Sequence, residues 1–467
     1  MTERAEHRTV QDGPQPVAAG GVDPRSANIH NGTLHHIVVV GGGAAGLELV
    51  TRIGHRLGRR QRASVTLVDC ARTHLWKPML HAAAAGSIDP GAYEVNYFAH
   101  ARWNGFQYHV GEMNGIDRAR REIHLAATVD EDGQQITPAR TIGYDTLVIA
   151  IGSVTNDFGT PGVAKHAVPL ETTAHAQRFN RRLLNAYARA QTQAEPIRPG
   201  QLHVAIVGAG ATGTELAAEL HRTTRDLVAY GLDRIDVQRD IRIVLLEGAA
   251  RILAGLPEPI SKAAHELLEK LGVEILVGAK VVEVTAQGIR LADGSFIAAE
   301  LVVWAAGVKG PDVLRQLDGL ETNRLNQLVV EQTLQTTQDP AIFAMGDCAA
   351  CPRLGTSASV PPRAQAAHQE AAHMARQIEH RLREKPLRPY TYRDFGSLVS
   401  IGKWTSVGNM MGGLTGGSVF VDGVFAGLMY RALRFMHERA LNGTVRAMLG
   451  AISRAASRRN GPRLKLH

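Results

Sequence analysis

Three glycines near the amino terminus have the spacing that lets a chain turn tightly around a phosphate. Gly41, Gly43 and Gly46 follow an apolar run from Ile37 to Val40. In this pattern the first glycine permits a tight turn, the second lets main-chain N–H groups approach a pyrophosphate, and the third lets a helix pack closely on a strand. A helix N-terminus then faces the phosphates, where unpaired N–H groups and the helix dipole favour negative charge. The cluster therefore predicts a dinucleotide-binding turn.

The segments around this turn have the order that it requires. The apolar run is predicted as a strand, a helix is predicted from about Ala44, and a second predicted strand from Val65 to Val68 ends at Asp69. Asp69 lies twenty-three residues after Gly46, where a carboxylate accepts hydrogen bonds from a ribose. A glycine cluster alone can be an ordinary strand-to-helix turn, but the complete order favours nucleotide binding.

The same pattern returns 167 residues later. Gly208, Gly210 and Gly213 follow a strand predicted from Leu202 to Val207, and they begin a predicted helix. Glu247 ends the next predicted strand, thirty-four residues after Gly213 rather than about twenty. A longer polar loop before that strand accounts for the excess. A repeated βαβ unit predicts two nucleotide sites in one chain.

Further glycines and acids follow predicted strands in both halves. Gly152 follows a strand near residues 144–150, Gly307 follows the strand near 301–305, and Asp347 ends the strand near 341–345. A long alanine-rich helix is predicted from Arg363 to about Leu382, and a small β region with glycine turns over residues 395–427. Strands that alternate with helices predict an α/β fold with two Rossmann-like domains.

Length and composition agree with several globular domains. A chain of 467 residues exceeds the size at which one core keeps growing, so two or three domains are expected. Aromatic residues, at 5%, are too sparse for a nucleic-acid stacking platform, and we expect no nucleic-acid partner. The polar first 33 residues lack the apolar core of a signal peptide and are expected to be a disordered leader. No apolar run reaches the roughly eighteen residues that a spanning helix needs.

The chain contains three cysteines, Cys70, Cys348 and Cys351. Their small number predicts no disulfide framework and a reducing compartment. Cys348 and Cys351 have the spacing of a redox pair or of half a zinc site. No second such pair and no compact pair of histidines completes four ligands, so no metal is expected. We favour two small buried thiols over a redox couple.

The net charge of +8 belongs to the C-terminal tail. Residues 431–467 hold eight arginines and one lysine against Glu438, while the rest of the chain is balanced. A helix break is predicted there at Asn442-Gly443, and Thr444 can cap the helix that follows. Apolar residues recur at helical spacing along this segment: Tyr430, Leu433, Met436, Leu441, Val445, Met448, Leu449 and Ile452. Arginines lie between them: Arg431, Arg434, Arg439, Arg446 and Arg454. A basic amphipathic helix pair suits the surface of an anionic membrane, and packing on the protein body or on a twin subunit is the alternative.

Together these motifs resemble the two-dinucleotide-fold flavoprotein reductases. Three further segments resemble bacterial type II NADH:quinone oxidoreductases, and the likeness covers roughly residues 35–467: His74-Leu75-Trp76-Lys77-Pro78, Ala364-Gln365-Ala366-Ala367-His368-Gln369 and Pro462-Arg463-Leu464-Lys465-Leu466-His467. The resemblance implies FAD in the first fold and NADH as the substrate of the second. It implies an FAD-binding domain over residues 34–160 and 331–394, an inserted NADH-binding domain over 161–330, and a membrane-binding C-terminal region over 395–467.

The resemblance also implies roles for individual residues. Asp69 is expected to bind the adenosine ribose of FAD, and Asp347 its ribityl chain. The full set of expected cofactor-binding residues is Gly41, Gly43, Ala45, Gly46, Asp69, Lys77, Gly152, Gly208, Gly210, Gly213, Glu247, Gly307, Asp347 and Gln365. Glu247 favours NADH over NADPH, because a 2′-phosphate brings about −1.5 to −2 charges against it, by analogy with phosphorylated side chains. Arg251, four residues further on, softens that repulsion.

The expected catalytic residues are Glu171, Gln365 and Gln369. The two glutamines are spaced i, i+4 and share one helix face, where amides donate to quinone oxygens without the desolvation cost of a charge. The resemblance places this face at the quinone site, although two helical glutamines are ordinarily solvated. Glu171 is either a proton relay to the reduced quinone or a first-turn helix acid favoured by the helix dipole.

The predicted function is that of a non-proton-pumping NADH dehydrogenase that reduces a membrane quinone. Residues 71–347 contain no cysteine, so a disulfide acceptor is not expected. The implied location is the cytoplasmic face of the bacterial inner membrane, as a peripheral protein, and the alternatives of a monomer and a homodimer stay open. Two alternatives remain open: a flavin-dependent NADH reductase of sulfide or a protein, and a redox-sensing flavoprotein.

Overall fold

The chain contains two parallel sheets, each covered by helices, and a C-terminal region that packs on them. The computed structural model describes residues 34–130, 132–356, 358–401, 406–411 and 418–460. The expected leader at residues 1–33 and the motif at 462–467 lie outside the described residues.

The first sheet holds the amino-terminal glycine turn at its carboxyl edge. Its five parallel strands run in the order Ile342–Ala344, Thr146–Ile149, His36–Val40, Ser64–Asp69 and Gln107–Val110. The three central strands are rich in Val, Ile and Leu, as in sheets buried on both faces. Val40 pairs with both Ile149 and Val68. The three central strands therefore end at one level, and the turn begins there.

The second sheet repeats this arrangement. Its five parallel strands run in the order Ala167–Pro169, Leu301–Trp304, His203–Val207, Arg242–Leu246 and Glu274–Leu276. Val207 pairs with both Leu246 and Trp304, so the second glycine turn also starts at an aligned carboxyl edge. This edge is where open α/β sheets bind their ligands.

Helices connect and cover both sheets. The α-helices of the described residues are Ala44–Ile53, Leu80–Ala84, Tyr97–Asn104, Val163–His166, Thr173–Thr192, Ala211–Val228, Val237–Asp240, Glu258–Lys270, Ala364–Arg381 and Gly423–Asn460. The first of these continues as a π-helical turn over Gly54–Gly58. Short 3-10 turns occupy Lys77–Met79, Pro90–Ala92, Asp312–Gln316 and Gly346–Cys348.

Small sheets of the described residues complete the two halves, and they are antiparallel except for the parallel pair of Leu328–Val329 with Ala349–Ala350. Each half has one three-stranded sheet: Met113–Asp117, Glu122–Leu125 and Arg140–Gly143 in the first, and Val281–Thr285, Gly288–Leu291 and Phe296–Ala298 in the second. Four two-stranded pairs join Thr73–His74 with Val95–Asn96, Thr128–Val129 with Gln135–Thr137, Val154–Thr155 with Val308–Lys309, and Leu328–Val329 with Ala349–Ala350.

The C-terminal region begins with an antiparallel sheet and ends in a broken helix. The sheet strands are Gly396–Ser400, Ser406–Met411 and Ser418–Asp422. The Gly423–Asn460 helix is interrupted at Gly443, where φ is 76°. No helix of the described residues is long and apolar enough to cross a bilayer.

The predicted elements agree with the observed ones except at three places. The β region predicted to residue 427 ends at Asp422, because a helix starts at Gly423. The helix predicted to follow the second glycine turn starts within that turn, at Ala211, directly after Gly210. The polar loop before the Arg242–Leu246 strand contains a short helix, in which the Asp236 side chain accepts hydrogen bonds from Gln238 and Arg239 N–H.

Candidate nucleotide and quinone sites

The three glycines of the first turn meet different surroundings. A Cβ on Gly41 would lie 2.3 Å from the carbonyl oxygen of Ala150, and a Cβ on Gly46 would lie 1.8 Å from the carbonyl oxygen of Gly41. A Cβ on Gly43 would meet nothing within 4 Å. Two glycines are thus required by packing, whereas the middle glycine leaves open space at the N-terminus of the Ala44–Ile53 helix. This space fits a diphosphate, which accepts hydrogen bonds from the exposed N–H groups.

Asp69 lies beside this space and is held by main-chain N–H groups. Gly42 N donates to Asp69 Oδ2 at 2.5 Å, and Ala71 N donates to Oδ1 at 2.7 Å. Burial raises the pKa of Asp69, and the two N–H donors oppose that rise. Because a carboxylate has about four lone-pair positions, each oxygen keeps capacity for a ribose hydroxyl.

The second turn repeats this geometry closely. A Cβ on Gly208 would lie 2.7 Å from Ala306 Cα, a Cβ on Gly213 would lie 2.0 Å from the Gly208 carbonyl oxygen, and a Cβ on Gly210 would meet nothing within 4 Å. Glu247 Oε2 accepts from Ala209 N, and its Oε1 accepts from Ala249 N, both at 2.9 Å. The second space therefore fits a dinucleotide with the same groups as the first.

Arg251, near Glu247, donates its hydrogen bonds to main-chain carbonyl oxygens. Its guanidinium donates to the carbonyl oxygens of Leu253 and Ala254, at 3.3 and 2.9 Å. The arginine is therefore engaged by its own loop, and its softening of the repulsion between Glu247 and a 2′-phosphate stays a prediction.

A chain of polar contacts joins the remaining residues of the first nucleotide site. Lys77 Nζ donates to the carbonyl oxygen of Ser153 at 3.2 Å, and Ser153 Oγ donates to Asp347 Oδ2 at 2.9 Å. A Cβ on Gly152 would lie 3.6 Å from Lys77 Nζ. Ala45 lies beside the turn that contains Gly346 and Asp347, because a Cβ added to Gly346 would be 3.6 Å from the Cβ of Ala45. The structure thus brings Ala45, Lys77, Gly152 and Asp347 together at one edge of the first sheet.

Gly307 occupies the matching turn of the second sheet. Its φ is +65°, and a Cβ on it would lie 2.5 Å from Phe158 Cζ. The two strands that follow the turns, Val154–Thr155 and Val308–Lys309, pair with each other. Gly152 and Gly307 therefore lie at the ends of connections that bring the two sheets together.

Glu370 is a buried acid beside Asp347 that the sequence did not single out. Its Oε2 accepts from Gly346 N at 2.6 Å, and its side chain belongs to the Ala364–Arg381 helix. Burial raises its pKa to about 7, with a further contribution from Asp347. The folded protein therefore holds a proton that the unfolded chain releases near pH 4.5.

The protonation of Glu370 predicts a pH-dependent stability. The contribution of Glu370 to the free energy of unfolding is complete below about pH 4.5, where the buried side chain is neutral. This contribution is lost as the pH rises through about 7, because the folded state then has to ionise a buried acid. We expect Glu370→Gln to flatten this dependence and to raise the free energy of unfolding by about 1–3 kcal/mol at pH 8. Thermal unfolding at pH 5 and pH 8 measures the effect, with the exposed Glu384→Gln as control. An unchanged pH dependence in Glu370→Gln would contradict the prediction.

The two C-terminal cysteines are buried thiols. Cys348 Sγ contacts the carbonyl oxygens of Ile149 and Met345, and burial raises the pKa of both Cys348 and Cys351 to about 12. The thiolate is the reactive form of cysteine, so these groups are unsuited to exchange with sulfide or a disulfide.

The amides of Gln365 and Gln369 are bonded to a neighbouring segment of the chain. Gln365 Nε2 donates to Asp394 Oδ1 at 3.1 Å and to the Gly396 carbonyl oxygen at 2.9 Å, and its Oε1 accepts from Phe395 N. Gln369 exchanges two hydrogen bonds with the Arg393 main chain. The shared helix face is present, but its donors are used by residues 393–396.

Glu171 lies before the Thr173–Thr192 helix rather than in its first turn. Thr172 caps that helix by accepting from His175 N. The Glu171 carboxylate accepts from Thr155 N, on the strand that follows the Gly152 turn. The side chain is therefore directed to the junction of the two sheets, and its position is not that of an ordinary first-turn acid.

Histidine and tryptophan side chains anchor the C-terminal helix on the first domain. The His437 ring stacks on Trp76 with centroids 5.7 Å apart, and its Nε2 lies 3.2 Å from His74 Nε2. Burial lowers the pKa of His74 to about 3 and that of His437 to about 4, so both rings stay neutral at physiological pH. Leu441 is also buried, at 4% exposure. The helix is thus attached next to Lys77.

Beyond this anchor the apolar residues of the helix are exposed. Val445 is 72% exposed, Leu449 62% and Ile452 63%. Leu433 and Met436 are less exposed, and Met448 is half-exposed. Packing on the protein body and an exposed apolar face therefore coexist in the C-terminal region.

Comparison with known proteins identifies the family. Residues 35–371 match the family model of the pyridine nucleotide-disulphide oxidoreductases. A type II NADH:quinone oxidoreductase of Haemophilus influenzae is 40% identical over 446 residues, which is 93% of this chain and 100% of that protein. The chain belongs to the type II NADH:quinone oxidoreductase family.

More distant members and solved structures agree with this family. The type II NADH:quinone oxidoreductase NdhA of Mycobacterium tuberculosis is 27% identical, over 87% of this chain and 84% of that one. The structure of NDH2 from Plasmodium falciparum in complex with NADH has a TM-score of 0.75 and 19% identity, over 90% of this chain and 97% of that chain. The sulfide:quinone oxidoreductase of Aquifex aeolicus shares the fold, with a TM-score of 0.68 at 17% identity, over 88% and 92% of the two chains.

One interaction of this family member was missed because its residues are far apart in sequence. His81 Nδ1 lies 3.2 Å from Glu215 Oε2, and Glu215 Oε1 accepts from Ser400 N at 3.0 Å. Burial opposes the charged form of His81, but Glu215 raises its pKa overall. The first domain, the second domain and the C-terminal sheet thus meet at one buried acid. No sequence pattern signals such a contact.

Proposed function

We propose that this chain is a non-proton-pumping respiratory NADH dehydrogenase, which oxidises NADH and reduces a membrane quinone with FAD as its bound cofactor. The observation that carries the proposal is the pair of matched turns, each with an open middle glycine and an acid that accepts from main-chain N–H groups. One nucleotide site suits a bound cofactor, and the other suits a substrate that exchanges. The Haemophilus influenzae relative is named for the same reaction.

The protein's own residues supply binding and orientation. Bound FAD supplies the chemistry, because it accepts a hydride from a nicotinamide and delivers two electrons to a quinone. Asp69, Asp347 and Lys77 hold FAD in the first site, with the main-chain N–H groups near Gly41, Gly43, Ala45 and Gly46 facing its diphosphate. Gly208, Gly210, Gly213 and Glu247 hold NADH in the second. Gly152, Gly307 and Gln365 border the region between them.

The proposed domains follow from this assignment. Residues 34–160 and 331–394 form the FAD-binding domain, 161–330 the inserted NADH-binding domain, and 395–467 the C-terminal region. The exposed apolar face and the arginines of that region support peripheral attachment to an anionic membrane. The side on which we propose this attachment is the cytoplasmic face. A homodimer is compatible with this attachment.

Glu247 is proposed to select NADH over NADPH. In Glu247→Gln the repulsion of a 2′-phosphate is removed, because the charge is lost while the side-chain shape remains. We expect the ratio of kcat/KM for NADPH to that for NADH to rise at least about tenfold. Steady-state kinetics with both nucleotides measure this ratio, with the distant Glu283→Gln as control. A ratio unchanged by the substitution would exclude Glu247 as the selecting group.

Glu171, Gln365 and Gln369 are proposed to serve the quinone half-reaction. A quinone oxygen that binds Gln365 Nε2 replaces one of its present acceptors, Asp394 or Gly396. Gln365→Ala is expected to raise KM for a short-chain quinone about tenfold and to leave KM for NADH unchanged, because one amide donor to the substrate is lost. Glu171→Gln, which retains an acceptor for Thr155 N, is expected to lower kcat for quinone reduction, because the carboxylate proposed to relay the proton is lost. Equal changes in both KM values would instead indicate a structural role for Gln365.

One experiment tests the whole proposal. The flavin absorbance of the purified full-length protein is recorded, NADH is added without acceptor, and a short-chain quinone follows. We expect a flavin spectrum that bleaches with NADH and recovers with quinone. A colourless protein that takes up no FAD would overturn the proposal, and rapid bleaching without recovery would overturn the quinone as acceptor.

A further inference from the structure

Arginines are concentrated on one exposed turn of the first domain. The Ala44–Ile53 helix runs into the π-helical turn Gly54–Gly58, and residues 54–62 form the segment that we call the arginine turn. Its four arginines are all exposed: Arg56, Arg59, Arg60 and Arg62. The chain before residue 431 is electrically balanced, so this cluster is a local excess of positive charge. π-Helical turns inside helices are frequently found at functional sites.

The arginine turn packs directly on the Tyr97–Asn104 helix. A Cβ on Gly58 would lie 1.9 Å from the Gly105 carbonyl oxygen, so main chain approaches main chain there. The guanidinium of Arg59 donates to the carbonyl oxygen of Trp103. The Trp103 side chain is 53% exposed, and the neighbouring Arg102 is exposed as well. An exposed tryptophan within an arginine cluster has the chemistry of a membrane–water interface, where amphipathic rings and cations are favoured.

This surface is continuous with the C-terminal helix. The guanidinium of Arg446 lies 5.3 Å from the centre of the Trp103 ring. The next residues along that helix include the exposed Val445, Met448 and Leu449. The arginine turn and Trp103 therefore lie beside the apolar face that is proposed to enter the membrane interface.

Few acids balance this charge. Arg56 forms an ion pair with Glu379 at 3.1 Å, and Glu384 lines an open cavity together with Arg62 and Arg381. Arg60 has no ion pair with any side chain in the part of the chain that the structure describes. The surface is thus complementary to an anionic layer rather than to a particular acidic side chain of the same protein.

We propose that the arginine turn and Trp103 form a second membrane-docking surface, which binds the headgroups of anionic lipids beside the C-terminal helices. The inference rests on the proposed peripheral attachment. Attachment through the C-terminal helices alone leaves the body able to tilt about them, whereas a second contact on the first domain fixes its orientation. Each basic residue close to an anionic bilayer strengthens binding up to about fivefold, less with distance and salt.

The test compares two triple variants of the full-length, FAD-loaded protein. The first variant loses three charges of the arginine turn through the substitutions Arg56→Gln, Arg60→Gln and Arg62→Gln. It keeps the hydrogen bond from Arg59 to the carbonyl oxygen of Trp103. The control carries Arg178→Gln, Arg181→Gln and Arg225→Gln, three exposed arginines of the second domain with the same change in charge. Binding is measured by co-sedimentation with phosphatidylcholine vesicles, with and without phosphatidylglycerol.

We expect the arginine-turn variant to bind anionic vesicles at least about tenfold more weakly than wild type, and the control less than twofold more weakly. The difference should disappear at high salt. Trp103→Ala should weaken binding to both kinds of vesicle severalfold. Turnover of a water-soluble quinone in solution should stay at the wild-type level in all variants, which reports that the fold and both nucleotide sites are intact.

The outcomes separate this inference from the proposed function. Equal binding of the arginine-turn variant, the control and wild type overturns the second docking surface, while membrane attachment through the C-terminal helices stands. Wild-type protein that binds neither kind of vesicle overturns both attachments, although NADH:quinone turnover is then still measurable. If the triple variant loses soluble turnover, the single Arg60→Glu change provides the test. It should weaken binding to anionic vesicles more than fivefold, and unchanged binding overturns the inference.

Discussion

Gly46→Ala is expected to yield a protein that holds no FAD and reduces no quinone. The added Cβ would lie 1.8 Å from the Gly41 carbonyl oxygen and 3.3 Å from Ala150 Cβ. Both neighbours are fixed, because Gly41 N donates to the Val68 carbonyl oxygen and Ala150 N to the Val40 carbonyl oxygen. The helix has to move away from the sheet, and its N-terminus then no longer faces the diphosphate. Overpacking of this kind costs about 1–3 kcal/mol or more, so we expect FAD affinity to fall about fivefold to a hundredfold or more.

Gly43→Ala is the matched variant in the same turn. Nothing lies within 4 Å of its added Cβ, so the fold should be retained and the thermal unfolding temperature of the protein without cofactor should match wild type. The new methyl group occupies the space assigned to the diphosphate, so FAD binding should still weaken. Flavin absorbance per protein and thermal unfolding measure the two effects separately. Wild-type flavin content in Gly46→Ala would show that the turn tolerates a side chain and does not hold the cofactor.

The elements that carry the two turns could be predicted because their signals are local. Strand, glycine spacing and acid occur within fewer than fifty residues in each copy, and each part has its own physical requirement. The strand register then places Gly41 and Gly208 at aligned carboxyl edges without further information. The long sequence separation between Gly213 and Glu247 did not affect the prediction of the second site, because a longer connection leaves the order of the strands in the sheet unchanged.

The contacts between distant segments could not be predicted in the same way. Glu370 and Glu215 look like ordinary charged positions on amphipathic helices, yet they are 2% and 6% exposed. Their burial depends on which turn or sheet packs on the helix, and the hydrophobic periodicity of the helix does not specify that neighbour. The same limit explains Gln365 and Gln369, whose helical spacing was correct while their partners at residues 393–396 were unforeseen.

The C-terminal helix shows how two interpretations of one amphipathic pattern both apply. Leu441 and His437 lie on the same helix as Val445 and Leu449. The first two pack against the part of the chain that carries the first sheet, whereas the last two are exposed. The break at Gly443 separates these two parts. Hydrophobic spacing predicts that one face is buried, but the surface that buries it changes along the helix.

Gly210→Ala is expected to separate the two nucleotide sites by function. Nothing lies within 4 Å of the added Cβ, so the second domain should fold normally, and the first site lies on another sheet and should keep its flavin. The methyl group occupies the space assigned to the NADH diphosphate. Since this contact is made in both the ground state and the transition state, KM for NADH should rise about 30-fold or more while kcat at saturation changes little.

The comparison between Gly210→Ala and Gly43→Ala decides which turn holds which nucleotide. The two positions have the same surroundings, so any difference between the variants comes from the ligand and not from the fold. We expect Gly210→Ala to be yellow with a high KM for NADH, and Gly43→Ala to lose flavin. Gly213→Ala, whose Cβ would lie 2.0 Å from the Gly208 carbonyl oxygen, should disrupt the second domain and serves as the structural control. A Gly210→Ala protein that is colourless and correctly folded would reverse the assignment, because the bound cofactor would then occupy the second turn.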